Sequence, residues 1–75
     1  MIQYELPVPG PVVLEIFDQT GGLVRRFTED PRSAGPHAVK WDGRDRAGRA
    51  VPSGIYLTRI ETPLGVATGR VVLTR

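Results

Sequence analysis

The chain has 75 residues with a net charge of +2, 40% hydrophobic residues and no cysteine. That length allows one domain, and the absence of cysteine excludes disulfides and thiolate metal sites. The composition is too apolar for a disordered chain, and no apolar run approaches the roughly 20 residues needed to cross a bilayer as a helix.

Residues 1–75 therefore read as a single domain. A domain of this size buries only about 60% of its unfolded surface, so its margin of stability is small. Nine of the ten basic residues are arginine, Lys40 is the only lysine, and asparagine is absent. So small a basic excess does not make a nucleic-acid face. Met1 leads directly into Ile2, with neither a basic nor an apolar leader segment, so the chain reads as a mature product or a piece of a longer protein.

Turn residues recur about every eight to twelve positions, the spacing of a β-sandwich or barrel. Seven prolines, spread from Pro7 to Pro63, leave few stretches in which a helix could form. The first strand is Ile2 to Leu6. Pro7 to Pro11 reads as a rigid extended connection, unfit for a sheet interior. Val12 to Asp18 follows, with Val12, Leu14 and Ile16 on one face. Gln19-Thr20-Gly21-Gly22 is a hairpin turn, and Leu23 to Thr28 is the return strand.

Glu29 to Pro36 reads as a polar connection. In the next strand His37, Val39 and Trp41 share a face. Asp42 to Ser53 is rich in turn signals. Gly54 to Thr62 carries Tyr56, Thr58 and Ile60 on one face and Ile55, Leu57 and Arg59 on the other. Pro63-Leu64-Gly65 turns the chain into Val66 to Thr74, with Val71 and Leu73 as the inward pair. Six to seven strands, mostly linked as hairpins, with apolar residues on both faces, favour an all-β fold of two mostly antiparallel packed sheets.

The run Trp41-Asp42-Gly43-Arg44-Asp45, then Gly48, then Val51-Pro52-Ser53-Gly54-Ile55-Tyr56 resembles the FlgD-like immunoglobulin-fold family. That family is named for a domain of the flagellar hook-capping protein and recurs as a C-terminal module of secreted bacterial proteins. Ile2 to Pro7, Val12 to Asp18, Gly22 to Arg25, Ala34 to His37 and Arg70 to Arg75 fit its remaining segments in order. The resemblance implies an immunoglobulin-like sandwich with a structural or attachment role. It also implies a bacterial cell-envelope or extracellular setting once any upstream signal is removed. Ser53 to Arg75 is more distantly similar to type IX secretion C-terminal sorting domains, from which the Trp41–Asp45 loop departs.

Trp41, Asp42, Gly43, Asp45, Gly48, Pro52, Gly54 and Tyr56 then form a fold signature, with no catalytic, metal or cofactor role. The Trp41 indole N–H requires one acceptor. Asp42 can bond its own downstream backbone. Gly48 and Gly54 suit positive φ, Pro52 sets the entry to the next strand, and Tyr56 can send its hydroxyl to a loop carbonyl.

Other chemistries are weaker readings. Asp18, Asp42 and Asp45 could gather around a loop, but calcium takes six to eight oxygens and the D-x-D-x-D-G spacing is missing, so turn and salt-bridge structure is favoured. His37 is the only histidine, and Ser33 and Ser53 are the only serines, with no nucleophile elbow. Arg44, Arg46 and Arg49 on one loop, with Arg25 and Arg26 on another, are interleaved with acids. That pattern favours ion pairs over nucleic acid.

The expected function is a non-catalytic module that packs through its edge strands on a host domain or on copies of itself. Ile2–Leu6 and Val66–Thr74 are the candidate edges. The rival readings are a sorting signal carried by Arg70–Arg75, and a carbohydrate- or ligand-binding module displaying its aromatics.

Overall fold

A computed structural model describes residues 2–74, apart from the side chains of residues 29–32. Six strands follow one another: β1 (Ile2–Leu6), β2 (Gly10–Phe17), β3 (Leu23–Arg32), β4 (Gly35–Val39), β5 (Gly54–Thr62) and β6 (Gly65–Leu73). Strands β1 and β4 form a two-stranded sheet, and the other sheet has the order β3-β2-β5-β6. Every pairing is antiparallel. The described residues thus form the two-sheet all-β sandwich that the sequence implies.

The alternation in β2 explains its central place. Val12, Leu14 and Ile16 are completely buried, while Val13, Glu15 and Phe17 are half-exposed on the other face. Each buried aliphatic side chain contributes about 1.5–3 kcal/mol. Opposite, Ile2, Leu6 and Val39 present the inner face of the small sheet. One cluster joins the sheets: Ile2 and Val39 from one, Leu14, Ile16, Val24 and Tyr56 from the other, and Trp41 from the segment between β4 and β5. Val71 and Leu73 are half-buried and pack against this cluster from β6.

Three expectations fail: Trp41 lies beyond β4, which ends at Val39, because the chain leaves the ladder there to enter the loop, and the other two failures are at prolines. Pro11 lies within β2, and the stretch from Glu29 onward is paired: β3 runs to Arg32 and β4 starts at Gly35. Only Ser33 and Ala34 connect them. Proline is tolerated where no ladder donor is needed. Pairing of β2 with β5 begins at Val13, so Pro11 lies beyond that ladder, at a register shift against β3. Pro31 and Pro36 belong to β3 and β4, which are edge strands.

Candidate functional site

The segment between β4 and β5 closes one end of the sandwich around Trp41. The indole is 8% exposed and meets the Tyr56 ring edge-on, with centroids 5.2 Å apart. Its Nε1–H donates to the Arg44 carbonyl at 3.0 Å. The Tyr56 hydroxyl donates to the Pro52 carbonyl at 2.6 Å. The two largest buried aromatics therefore each tie one arm of the loop to the core.

Asp42 starts the loop by accepting the Arg44 amide on Oδ1 at 3.1 Å. Gly43, with φ at 74°, turns the chain, and its carbonyl accepts the Val51 amide at 3.0 Å. Arg44 and Ala50 form an antiparallel bridge, and inside it lies a tight turn from Asp45 to Arg49. Asp45 Oδ1 accepts the amides of Ala47 at 2.9 Å and Arg49 at 3.0 Å. Gly48 has a φ of 82° and donates its amide to the Asp45 carbonyl. A side chain there would occupy the left-handed region at a cost of about 1–2 kcal/mol.

The turn is fixed to the sandwich by a backbone bond, from the Arg46 amide to the Val24 carbonyl at 3.0 Å. Arg25 adds a side-chain brace that the sequence did not reveal. Its guanidinium pairs with Asp42 at 3.2 Å and lies 4.8 Å from the centre of the Phe27 ring. It also reaches the Arg44 carbonyl at 3.5 Å. A partly exposed ion pair of this kind is worth about 0–1 kcal/mol, with a similar amount from the cation–π contact. Arg25 read as one more surface arginine because its partners are 17 and 19 residues away.

Asp18 lies elsewhere, in the β2–β3 hairpin. Its Oδ1 accepts the Thr20 and Gly22 amides and the Thr20 hydroxyl at 2.7–3.0 Å. That hydroxyl and the Gly22 amide chiefly hold the Asp18 carboxyl below the usual carboxylate range, outweighing desolvation. The Asp45 carboxyl is lowered first by the Arg49 amide, also against desolvation. These aspartates act as turn caps. Among the described residues no group of three or more His, Asp or Glu side chains is placed to hold a metal ion.

His37 sits on β4, its ring 5.6 Å from the Tyr4 ring and its Nε2 2.7 Å from the Ser33 carbonyl, to which a protonated nitrogen donates. Ser53 lies at the far end of the loop, next to β5. Arg44 donates to the Gly48 carbonyl within its own loop, while Arg46 and Arg49 face solvent. Trp41 and Tyr56 are buried; Tyr4, Phe17 and Phe27 are half-buried. Gly54 has φ at 156° and leads into β5 directly after the Pro52-Ser53 step. Met1 and Arg75, the basic residue at the end of the closing pattern, lie outside the described residues.

A second region has a different character. An open groove of about 600 Å³ runs between β1 and the inner face of β5–β6, past Gln3, Glu5, Thr58, Ile60, Ala67 and Gly69. The two-stranded sheet is too narrow to cover β6. On the outer face Ile55, Leu57, Val66 and Val72 are 41–62% exposed. The apolar residues on both faces of β5 and β6, which suggested two packed sheets, are therefore covered on one side at most: Tyr56 of β5 is buried, whereas β6 reaches only half-burial at Val71 and Leu73.

The profile of the FlgD Ig-like domain family matches residues 2–64. No curated protein matches the chain. The crystal structure of FlgD from P. aeruginosa superposes with a TM-score of 0.80 at 28% identity, covering 93% of this chain. This chain spans only 58% of that FlgD chain. With that match across both sheets and the Trp41–Tyr56 loop, the fold is immunoglobulin-like, and the chain belongs to the FlgD Ig-like domain family.

Proposed function

We propose that this domain is a non-catalytic structural module of a bacterial cell-envelope or extracellular protein, attaching to a host domain or to copies of itself. The observation that carries the reading is the exposed apolar group Ile55, Leu57 and Val72 on the outer face of one sheet, with exposed Val66 further along the same strand edge. A cluster of exposed apolar side chains such as Ile55, Leu57 and Val72 favours a protein contact. The polar groups of the Trp41–Tyr56 segment support the same reading, because they bond to the domain's own backbone. Family membership fits a structural role as well.

The test is genetic complementation in a bacterium that encodes the chain. A variant lacking both serines and the histidine (Ser33→Ala, Ser53→Ala, His37→Ala) removes the conventional nucleophile–base sets. It should restore function fully. A Leu57→Lys variant, folded by circular dichroism, should not. Loss of function in the folded triple variant would overturn the reading in favour of catalysis. Fractionation with added protease should find the domain accessible from outside the cell membrane.

A further inference from the structure

Strand β6 is an open edge of the four-stranded sheet, and apart from the charge of Arg70 it lacks the usual devices that block edge pairing. Lysine, proline and bulges serve that purpose in natural sheets. Strand β6 reads GVATGRVVL and pairs with β5 through nine successive residues without a register shift. The opposite edge, β3, contains Pro31, and its Val24 carbonyl is occupied by the Arg46 amide. The edge strand β4 carries Pro36.

The register fixes what the β6 edge displays. The hairpin closes at Thr62–Gly65 around a two-residue turn. Such a closing pair exchanges its hydrogen bonds internally, so the alternate residues Val66, Thr68, Arg70 and Val72 direct N–H and C=O to the open edge. Their side chains share the outer face with Ile55, Leu57, Arg59 and Glu61, their partners on β5. Val66 is 50% exposed and Val72 is 62% exposed.

These residues are arranged symmetrically about Gly69. Val66 and Val72 are equidistant from it, as are Ala67 and Val71, and Thr68 and Arg70. Building on the structural-module reading, we infer that β6 pairs antiparallel with β6 of a second copy about a two-fold axis at Gly69, joining two four-stranded sheets into one. Each Val66 then lies opposite Val72 of the second copy, and each Arg70 opposite Thr68. About eight backbone hydrogen bonds close the seam.

Neighbouring registers are worse. An axis at Arg70 places the two guanidinium groups directly opposite each other, and one at Thr68 sets Val66 against Arg70. Opposed like charges destabilise a strand pair, whereas apolar β-branched pairs stabilise it. The isologous contact needs only one patch, as a two-fold dimer requires. A seam this narrow falls below the roughly 1,200 Å² of stable interfaces, so the dimer is weak and concentration-dependent.

Sedimentation equilibrium of the 75-residue chain, from about 10 µM to about 1 mM, should show a monomer–dimer equilibrium at the concentrations expected of so small an interface. Val66→Lys with Val72→Lys sets lysine against lysine at two exposed sites and should weaken association at least about tenfold. Val66→Lys with Val72→Glu should restore it in a salt-sensitive form. In the otherwise unaltered chain, spin labels on Thr68→Cys should lie within about 20 Å of each other at high concentration, being diagonal neighbours across the axis. A monomer throughout the range, absence of label coupling, or a dimer indifferent to the double-lysine change would each overturn the inference. None of these results touches the structural-module reading, which is tested separately by complementation with the folded serine–histidine and Leu57→Lys variants and by protease accessibility.

Discussion

The chain makes the same turn twice and uses it differently. In Asp18–Gly22 and Asp45–Arg49 the aspartate amide donates to the carbonyl of the fifth residue, and its own carbonyl accepts the amide of the fourth. Its Oδ1 takes the amides of the third and fifth. The fourth residue is glycine in both, with φ of 90° at Gly21 and 82° at Gly48. The first turn joins β2 to β3, and its long bond to another strand, from the Gln19 side-chain amide to the Ile55 carbonyl at 3.4 Å, is solvent-exposed. The second is fastened to Val24 through Arg46, and the Arg44 carbonyl just before it holds the Trp41 indole. The turn itself is a local property of D-x-x-G. What it supports depends on distant contacts.

The largest expected effect comes from removing what only the second turn supports. Trp41→Ala should cost about 3–5 kcal/mol, a large share of the roughly 5–15 kcal/mol available to a domain. Urea denaturation followed by circular dichroism would measure it. Trp41→Phe keeps much of the packing and loses the indole hydrogen bond, so about 1 kcal/mol beyond the ring-size difference is expected. If alanine costs no more than phenylalanine, the indole is not the keystone of that end, and the two turns are closer to equivalent than their surroundings suggest.

The sequence was most informative where the signal is local. The alternation of Val12, Leu14 and Ile16 marks β2, and D-G and G-G steps mark the turns. Trp41 and Tyr56 each carry one polar atom whose burial requires an acceptor, so the need for a partner was legible, although its identity was not. The pairing of β3 beyond Thr28 was hidden because the segment is polar and contains Pro31. Its strand character comes from β2, through pairs such as Val12 with Glu29. The doubled Asp turn was legible in principle as D-Q-T-G-G and D-R-A-G-R. The brace at Arg25 was not, since cation–π and ion-pair partners are set by tertiary approach. The uncovered face of β6 depends on the small sheet having only two strands, which no single strand's pattern reveals.

Glycine replacement in the two turns has effects of intermediate size. A Cβ at either Gly21 or Gly48 would have no atom within 4 Å, so alanine at both sites brings the same backbone strain and no clash. Each change should cost about 1–2 kcal/mol. The difference should appear in the Trp41 fluorescence of the folded protein. Gly48→Ala disturbs the loop that holds the indole and should shift the emission. Gly21→Ala should leave it unchanged. Identical spectra would mean that strain in the second turn is absorbed before it reaches Arg44.

The smallest effect is the pH dependence of the caps. Both carboxyls titrate below their ordinary value because the folded turns hydrogen-bond the ionised form. A depressed folded pKa gives stability that is fully present above the unfolded value of about 3.9 and is lost as pH falls through the lower folded value. Stability should therefore be flat near neutrality and decline at acid pH. Asp18→Asn and Asp45→Asn should each remove part of that slope, because an amide oxygen can still accept the two N–H bonds but does not titrate. Both aspartates are half-exposed at turns, so solvent keeps the two losses small and similar. Trp41 emission distinguishes them. Protonation of Asp45 loosens the loop beside the indole and should shift the emission over the same acid range, and Asp45→Asn should abolish that shift. If Asp18→Asn abolished it instead, the two turns would be coupled through β3, and their different surroundings would no longer separate their roles.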